Sequence, residues 1–338
     1  MAGGLVRVLI GVDVGGTTTA GGLVTADGEV LSVVHTPTHR HGPGTGVETL
    51  LDVVGDLLAR ARARGIALDG VGVGIPGPVD VEKGMMLAFP NHVPEFGDVP
   101  IAARLGALAG VPAFVDNDVR ALALAEWTFG HGRGASSLVV LAIGSGVGGG
   151  IVLDGRPVRG RHGWGGEIGH FSVKFDGPRC HCGGHGCLAA YLAGRQIAAR
   201  AREAVADHPD SALLALAGGD GAQITAALVF RAAADGDPLA GALVDEACEA
   251  LAASLAGIVN ALDPEVLVIT GGVVASLLPL EADVRRRVAR CALSRSLDET
   301  RIHFVAADKR ATVLGGAALA LYELGRREAI TTPDPSEV

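Results

Sequence analysis

The sequence predicts an α/β protein of two domains, and three observations predict it. Strand-like apolar runs alternate with helix-period segments over nearly all of the 338 residues, the pattern of layered sheets and helices. One stretch occurs twice: Ala20-Gly-Gly-Leu-Val-Thr-Ala-Asp-Gly28 aligns without a gap on Val147-Gly-Gly-Gly-Ile-Val-Leu-Asp-Gly155. The length also exceeds what one hydrophobic core usually serves, about 250–300 residues.

Each element has its own warrant. The first strands of the repeated unit are Val6 to Val12 and Ser137 to Ile143. Each enters a glycine-rich bend, a second strand leaves it, and an Asp-Gly turn reverses the chain. The first helix runs from Val47 to Arg64, with apolar residues at 47, 50, 51, 54, 57, 58 and 61 and Gly65 as its stop. A second helix, Ala121 to Phe129, follows the polar cluster Asp116-Asn117-Asp118. Pro238 to Leu262 is a long helix that opens with proline and ends before Asp263-Pro264. Val266 to Thr270 is a buried strand running into Gly271-Gly272, and Leu314 to Leu324 is the last helix. The expected division is a small domain over 1–118 joined by the C-terminal helix 312–328, a large domain over 119–311, and a tail over 329–338. Two such domains would face each other across a cleft.

Composition excludes several classes of function. A net charge of −9 with no basic run argues against a nucleic-acid surface. No charge-free apolar stretch approaches the ~18 residues of a spanning helix, so no membrane partner is expected. Met1 to Arg7 runs straight into a strand and does not read as a leader peptide.

The five cysteines are not scattered. Cys180, Cys182 and Cys187 stand in Cys-His-Cys-Gly-Gly-His-Gly-Cys, and His170 closes Gly-Gly-Glu-Ile-Gly-His ten residues upstream. Three thiolates and one imidazole make the ligand set of a tetrahedral structural zinc, with no position left for chemistry. Clustered thiols of this kind fit a reducing cytoplasm. The expected zinc loop spans 167–188 and would hold Glu167 in place. That glutamate sits in an otherwise uncharged glycine run and suits the role of acceptor for a polyol hydroxyl.

Three glycine turns follow strands. Asp13-Val-Gly15-Gly16-Thr17-Thr18 offers backbone amides and two hydroxyls to a phosphate, and Asp13 a carboxylate to Mg²⁺. Gly144-Ser145-Gly146 repeats this logic with one serine. Gly271-Gly272 permits close approach to a flat nucleoside. No Walker A loop exists here. Asp118 is the candidate base that accepts the proton of an attacking hydroxyl, with Asn117 beside it, although Asn and Asp before a helix are also the preferred caps. Asn91, in Phe-Pro-Asn-His-Val, offers a further amide contact.

Together these motifs resemble the ROK family of sugar kinases and related repressors. The matching pieces are Asp13-Val-Gly-Gly-Thr, Gly72-Val-Gly-Ile-Pro-Gly-Pro-Val-Asp80, Pro90-Asn91, Asn117-Asp118, Gly144-Ser-Gly-Val-Gly-Gly-Gly, Gly166-Glu-Ile-Gly-His170 with the cysteine run, and Thr270-Gly-Gly272. The resemblance implies two actin-like (ribonuclease H-like) domains closing over ATP and a sugar. It implies Asp118 as catalytic base, Asn117 and Glu167 on sugar hydroxyls, zinc on His170, Cys180, Cys182 and Cys187, and His170 touching the sugar as well. The implied reaction moves the γ-phosphate of ATP to a primary hydroxyl, giving a hexose 6-phosphate, and the implied assembly is a homodimer or homotetramer.

Two positions depart from that pattern. The family usually has glutamate at the place of Ala189, where it binds hydroxyls near the anomeric carbon. Losing a charged acceptor typically costs ~1.5–3 kcal/mol, about one to two decades of affinity. An amino sugar or a C7-cyclitol is then an alternative acceptor to glucose. Thr18 stands where many members have lysine, which bears on nucleotide affinity. A repressor, or another sugar-binding regulator without catalysis, is the rival from a different class. Repressors of this family carry a winged helix ahead of the first phosphate turn, whereas twelve residues precede Asp13 here.

Overall fold

The computed structural model describes residues 6–87, 93–308 and 312–331. Among the described residues, twelve strands form three sheets. In chain order they are β1 (Val8–Val14), β2 (Thr18–Thr25), β3 (Val30–Pro37), β4 (Gly70–Ile75), β5 (Val79–Asp80), β6 (Met85–Met86), β7 (Ala113–Asn117), β8 (Leu138–Ile143), β9 (Val147–Leu153), β10 (Arg156–Pro157), β11 (Val266–Gly271) and β12 (Arg301–Ala306). The two larger sheets have the orders β3-β2-β1-β4-β7 and β10-β9-β8-β11-β12, while β5 and β6 form a hairpin.

The sequence repeat is therefore a repeat of topology. In each large sheet the first three strands of the set lie side by side in reverse order. The fourth and fifth strands extend the first one on its other edge. β1 pairs antiparallel with β2 but parallel with β4, and β4 parallel with β7. β11 likewise lies parallel to both β8 and β12. Parallel neighbours need helical crossovers, and the sequence supplies them.

The helices are α1 (Gly46–Ala63), α2 (Ile101–Ala109), α3 (Asp118–Thr128), α4 (Leu188–Leu192), α5 (Gly194–Ala204), α6 (Ala212–Leu216), α7 (Ala226–Ala234), α8 (Pro238–Leu262), α9 (Val274–Leu277), α10 (Glu281–Val288), α11 (Ser294–Glu299) and α12 (Thr312–Thr331). α8 opens as read from sequence, with proline in its first turn and the Asp237 carboxylate accepting from the Ala240 amide. α3 begins three residues earlier than its apolar period suggests, because Asn117 is its cap. The Asn117 side chain accepts from the amides of Val119 and Arg120. α12 runs further than expected at its C-terminal end, to Thr331.

The chain divides into two compact units: 1–136 with 150–166 and 308–338, and 137–149 with 167–307. This differs from a boundary at residue 118, and packing explains why. α3 lies against α12 and β4, both in the first unit. The returning chain at Gly150 fits so closely onto α3 that an added Cβ would sit 2.6 Å from the Val119 carbonyl oxygen. In the first unit α12 crosses β1 and β4 at backbone contact, with Gly72 against the Gly316 carbonyl. Its core gathers Ile10, Val12, Leu50, Leu57, Val73, Ile75 and Val115. In the second unit the long α8 is buried along one side through Val244, Leu251, Leu255 and Val259, and packs on α7 and α10. Among the described residues no helix is long and apolar enough to cross a membrane.

Candidate functional site

In the first unit two carboxylates lie near enough to influence each other, one at the end of a strand and one at the start of a helix. Asp13 is the penultimate residue of β1 and lies in register with Gly74 of β4. Asp118 opens α3, directly after β7, and its backbone is packed onto that same glycine. A Cβ at residue 74 would lie 3.1 Å from the Asp118 Cα, so glycine lets the helix start approach the sheet without the small shift that a larger residue would force. Burial, and then the neighbouring Asp118 carboxylate, push the Asp13 carboxyl up to about 7. A carboxyl raised in this way either keeps its proton at neutral pH or is met by a cation. The donor set fits Mg²⁺, which takes one or two protein carboxylates and completes its shell with water and phosphate oxygens.

The turn after Asp13 is braced for exposure. The Gly15 amide donates to the Thr18 carbonyl at 2.9 Å, and the Thr38 hydroxyl donates to the Gly15 carbonyl at 2.6 Å. Thr17 and Thr18 are left on the surface.

The three polar residues of the Asp116 cluster separate in the structure. Asp116 is fully buried, with one oxygen accepting from the Asn117 amide and from Arg120 Nε, each at 2.7 Å. Its other oxygen accepts from Arg159 Nε at 2.8 Å. It is thus structural. Asn117 spends its carbonyl oxygen on the cap of α3 and one Nδ2 hydrogen on the Gly77 carbonyl at 3.3 Å. Only Asp118, half-buried, combines a place beside Asp13 with a carboxylate at the helix start. Asn91 lies outside the described residues.

In the second unit the other two glycine turns come together. The Val273 amide donates to the Ile143 carbonyl at 3.0 Å, which sets the Gly271-Gly272 turn against the end of β8, where Gly144 begins. Gly144 closes its own turn by donating to the Gly146 carbonyl at 2.9 Å, and Ser145 is exposed. A groove of about 500 Å³ opens among α7, α8 and the α9–α10 stretch that follows Gly272 in the chain, with Phe230, Val244, Ser276, Pro279 and Leu280 in its walls. A larger concave surface of about 720 Å³, on α1 and α2, contains none of the residues singled out above.

The cysteine loop folds as a tetrahedral cage requires. The ligand atoms of His170, Cys180, Cys182 and Cys187 all lie within 4.8 Å of one another. Sulfur ligands ~2.3 Å from zinc imply tetrahedral edges of roughly 3.8 Å. The Cys182 and Cys187 sulfurs are 3.7 Å apart, and Cys180 Sγ lies 3.7 Å from His170 Nδ1. Burial and the neighbouring thiols push Cys187 up to about 12, so without a cation that thiol resists becoming a thiolate, whereas the Gly184 backbone hydrogen bond pulls Cys182 down. The cluster can therefore hold a metal of zinc type. His170 ends a short turn whose amide returns to the Glu167 carbonyl at 3.0 Å, tying Glu167 to the cage.

Two sheets of one strand order, each with a glycine turn after its first strand, define the actin-like two-domain class of α/β proteins. Within that class, the family model "ROK family" matches residues 9–323. The chain belongs to the ROK family. It is similar to the glucokinase of Thermotoga maritima, at 37% identity over 78% of this chain and 82% of that one. It is also similar to the crystal structure of a ROK hexokinase from Thermus thermophilus, at 31% identity, a TM-score of 0.76, and coverage of 95% of this chain and 100% of that one. A ROK family glucokinase from Streptomyces griseus, in complex with glucose and AMPPNP, matches at 31% identity and a TM-score of 0.72, covering 93% and 99%. Repressors occur among the relatives too: the xylose repressor of Caldicellulosiruptor bescii is 29% identical over 67% of this chain and 57% of its own length.

Sequence reading missed Arg120 and Arg159. Apart from the Asp116–Arg120 pair, four residues apart, their partners lie far along the chain, and an arginine at a helix start or in a glycine-rich loop carries little local signal.

Proposed function

We propose that the protein is an ATP-dependent kinase of a hexose or hexose-like polyol, transferring the γ-phosphate to a primary hydroxyl. One observation carries the reading: Asp118 is the carboxylate held next to Asp13 at the mouth of the first glycine turn. Phosphoryl transfer asks for these two tasks at one place, a base that orients the acceptor hydroxyl and a carboxylate for the cation on the phosphates. Asp118 takes the proton of the attacking hydroxyl. Asp13 is the residue that would hold Mg²⁺, which when bound neutralises charge on the phosphates. The amides of Gly16 and Gly146, with the hydroxyls of Thr17, Thr18 and Ser145, contact phosphate oxygens, while Gly15 and Gly144 close the turns that present them. Gly271 and Gly272 lie along the nucleoside, and the groove among α7, α8 and the α9–α10 stretch takes the nucleobase.

For the sugar, Glu167 accepts from hydroxyls, and Asn117 has one Nδ2 hydrogen to offer. Asn91 is a further amide contact. The ring of His170 turns Nδ1 toward Cys180, which leaves Nε2 to donate to a hydroxyl once a metal fixes the tautomer. Zinc in the four-ligand cage is a structural ion and orders the loop behind Glu167. Cys182→Ser is expected to cut bound zinc, measured by mass spectrometry of the purified protein, from one per chain to below about 0.2. Hydrogen exchange should quicken in 171–187. A wild type that purifies without stoichiometric metal sinks the zinc assignment.

Ala189 favours the second reading of the acceptor. It is 1% exposed on the short α4 and brings no polar atom to the sugar. An amino sugar or a C7-cyclitol would not ask for the carboxylate that is missing. ADP release with glucose, mannose, N-acetyl sugars, kanosamine and cyclitols decides between these. Turnover with glucose supports the first reading. Turnover confined to kanosamine or a cyclitol supports the second. A protein that binds sugar but turns over none of them is a regulator, the role of its repressor relatives.

A further inference from the structure

The first unit buries three charges, with a fourth half-buried beside them, that phosphoryl transfer does not use. Asp116 is bonded to Arg120 and Arg159, and Arg159 Nη2 reaches Glu323 of α12 at 2.6 Å. Burying ion pairs seldom improves stability over apolar side chains of the same volume, but it does fix geometry. Here the geometry concerns two specific segments. Arg120 is 1% exposed and sits in the first turn of the helix that Asp118 opens. Its Nε holds Asp116, and its Nη1 donates to the carbonyls of Gly163 at 3.0 Å and Gly165 at 3.1 Å. Nη2 makes no hydrogen bond, so the guanidinium is committed to those contacts alone. Gly165 is held a second time, through its own amide, by the Arg159 carbonyl at 2.9 Å. The chain then leaves the first unit after Gly166, and the next residue is Glu167.

We propose that Arg120 is a positioning residue for sugar binding: one guanidinium ties the base-bearing helix to the segment that delivers Glu167. The proposal rests on the kinase reading above. The peptide planes at 163 and 165 are the last fixed points before Glu167, and both are fixed by the same nitrogen. Loosening them spreads the positions of a carboxylate two residues away and weakens the grip on the acceptor. The nucleotide turns, on other parts of the chain, are untouched.

The test uses the full-length, zinc-loaded protein with Arg120→Lys. An ammonium cannot serve Asp116 and two carbonyls in the fork that a guanidinium spans. The KM for the hexose turned over by the wild type is expected to rise tenfold or more, with kcat within about threefold and the KM for ATP unchanged. Amide exchange over 163–167 should quicken at least tenfold while that over 180–187 stays put. Trp164, which is 44% exposed in the same segment, should become more open to iodide quenching. Should the lysine variant fail to fold, Arg120→Met keeps the volume and gives up the donors, and the same readouts apply. A hexose KM within twofold of wild type overturns the proposal, as does an equal loss for hexose and ATP. A wild type inert toward every polyol removes the kinase reading, and the sugar role of Arg120 with it. Unchanged exchange over 163–167 refutes the anchoring itself while leaving the kinase reading intact.

Discussion

Asp118→Asn is expected to lower kcat about a thousandfold while leaving the fold and sugar affinity in place. General-base catalysis contributes 10²–10⁴-fold in typical enzymes, and three decades correspond to ~4 kcal/mol of transition-state stabilisation. The variant is gentle to structure for a specific reason. Asp118 Oδ1 accepts from the Val119 amide at 2.9 Å, and an asparagine oxygen accepts there as well. The helix cap rests on Asn117, which is unchanged. The substitution also removes the negative neighbour that is the second cause of the high Asp13 pKa, so Asp13 should ionise at lower pH in the variant. Steady-state kinetics with the preferred polyol, and calorimetry for its binding, check both halves. Turnover within threefold of wild type takes Asp118 out of the role of base.

What the sequence disclosed, and what it hid, follows from the range of the interactions. The metal cage was legible because its cysteines fall within eight positions, and only His170 must come back from further away. The three glycine turns were legible because each lies next to its own strand. The cluster at 116–118 was only half legible. Three polar residues in a row look alike on paper, yet one caps a helix, one anchors arginines, and one lies near enough to Asp13 to raise its pKa. The difference comes from Arg159, 43 residues from Asp116, and from Glu323, 164 residues beyond Arg159. No local pattern encodes such partners. The division of the chain was hidden for the same reason: α3 belongs with the first unit because α12, from the far end of the sequence, packs onto it.

Asp13→Asn is expected to raise stability at pH 8 in the absence of magnesium and nucleotide while lowering kcat/KM for Mg-ATP about a hundredfold. The sign follows from linkage. The carboxyl titrates near 7 in the folded protein and at 3.8 as an unperturbed group, so between those values the folded chain carries the extra proton. Stability then falls as pH rises through that window, and the loss is complete above pH 7. About three pKa units set an upper bound of ~4 kcal/mol. Asp13 is partly exposed, so solvent screening brings this to on the order of 2 kcal/mol. An asparagine carries no such penalty. Thermal unfolding of wild type and variant should coincide near pH 4 and separate progressively up to pH 8, the variant melting higher by on the order of 4 °C. Mg-nucleotide should narrow the gap, because a cation beside Asp13 favours the ionised form in the wild type alone. Parallel melting curves across the whole range would assign the titration to another group. A variant that keeps full kcat/KM for Mg-ATP would remove Asp13 from the nucleotide site. Both outcomes together would leave the Asp13–Asp118 pair without a part in phosphate transfer, so this one variant examines the electrostatics and the chemistry of the same two carboxylates.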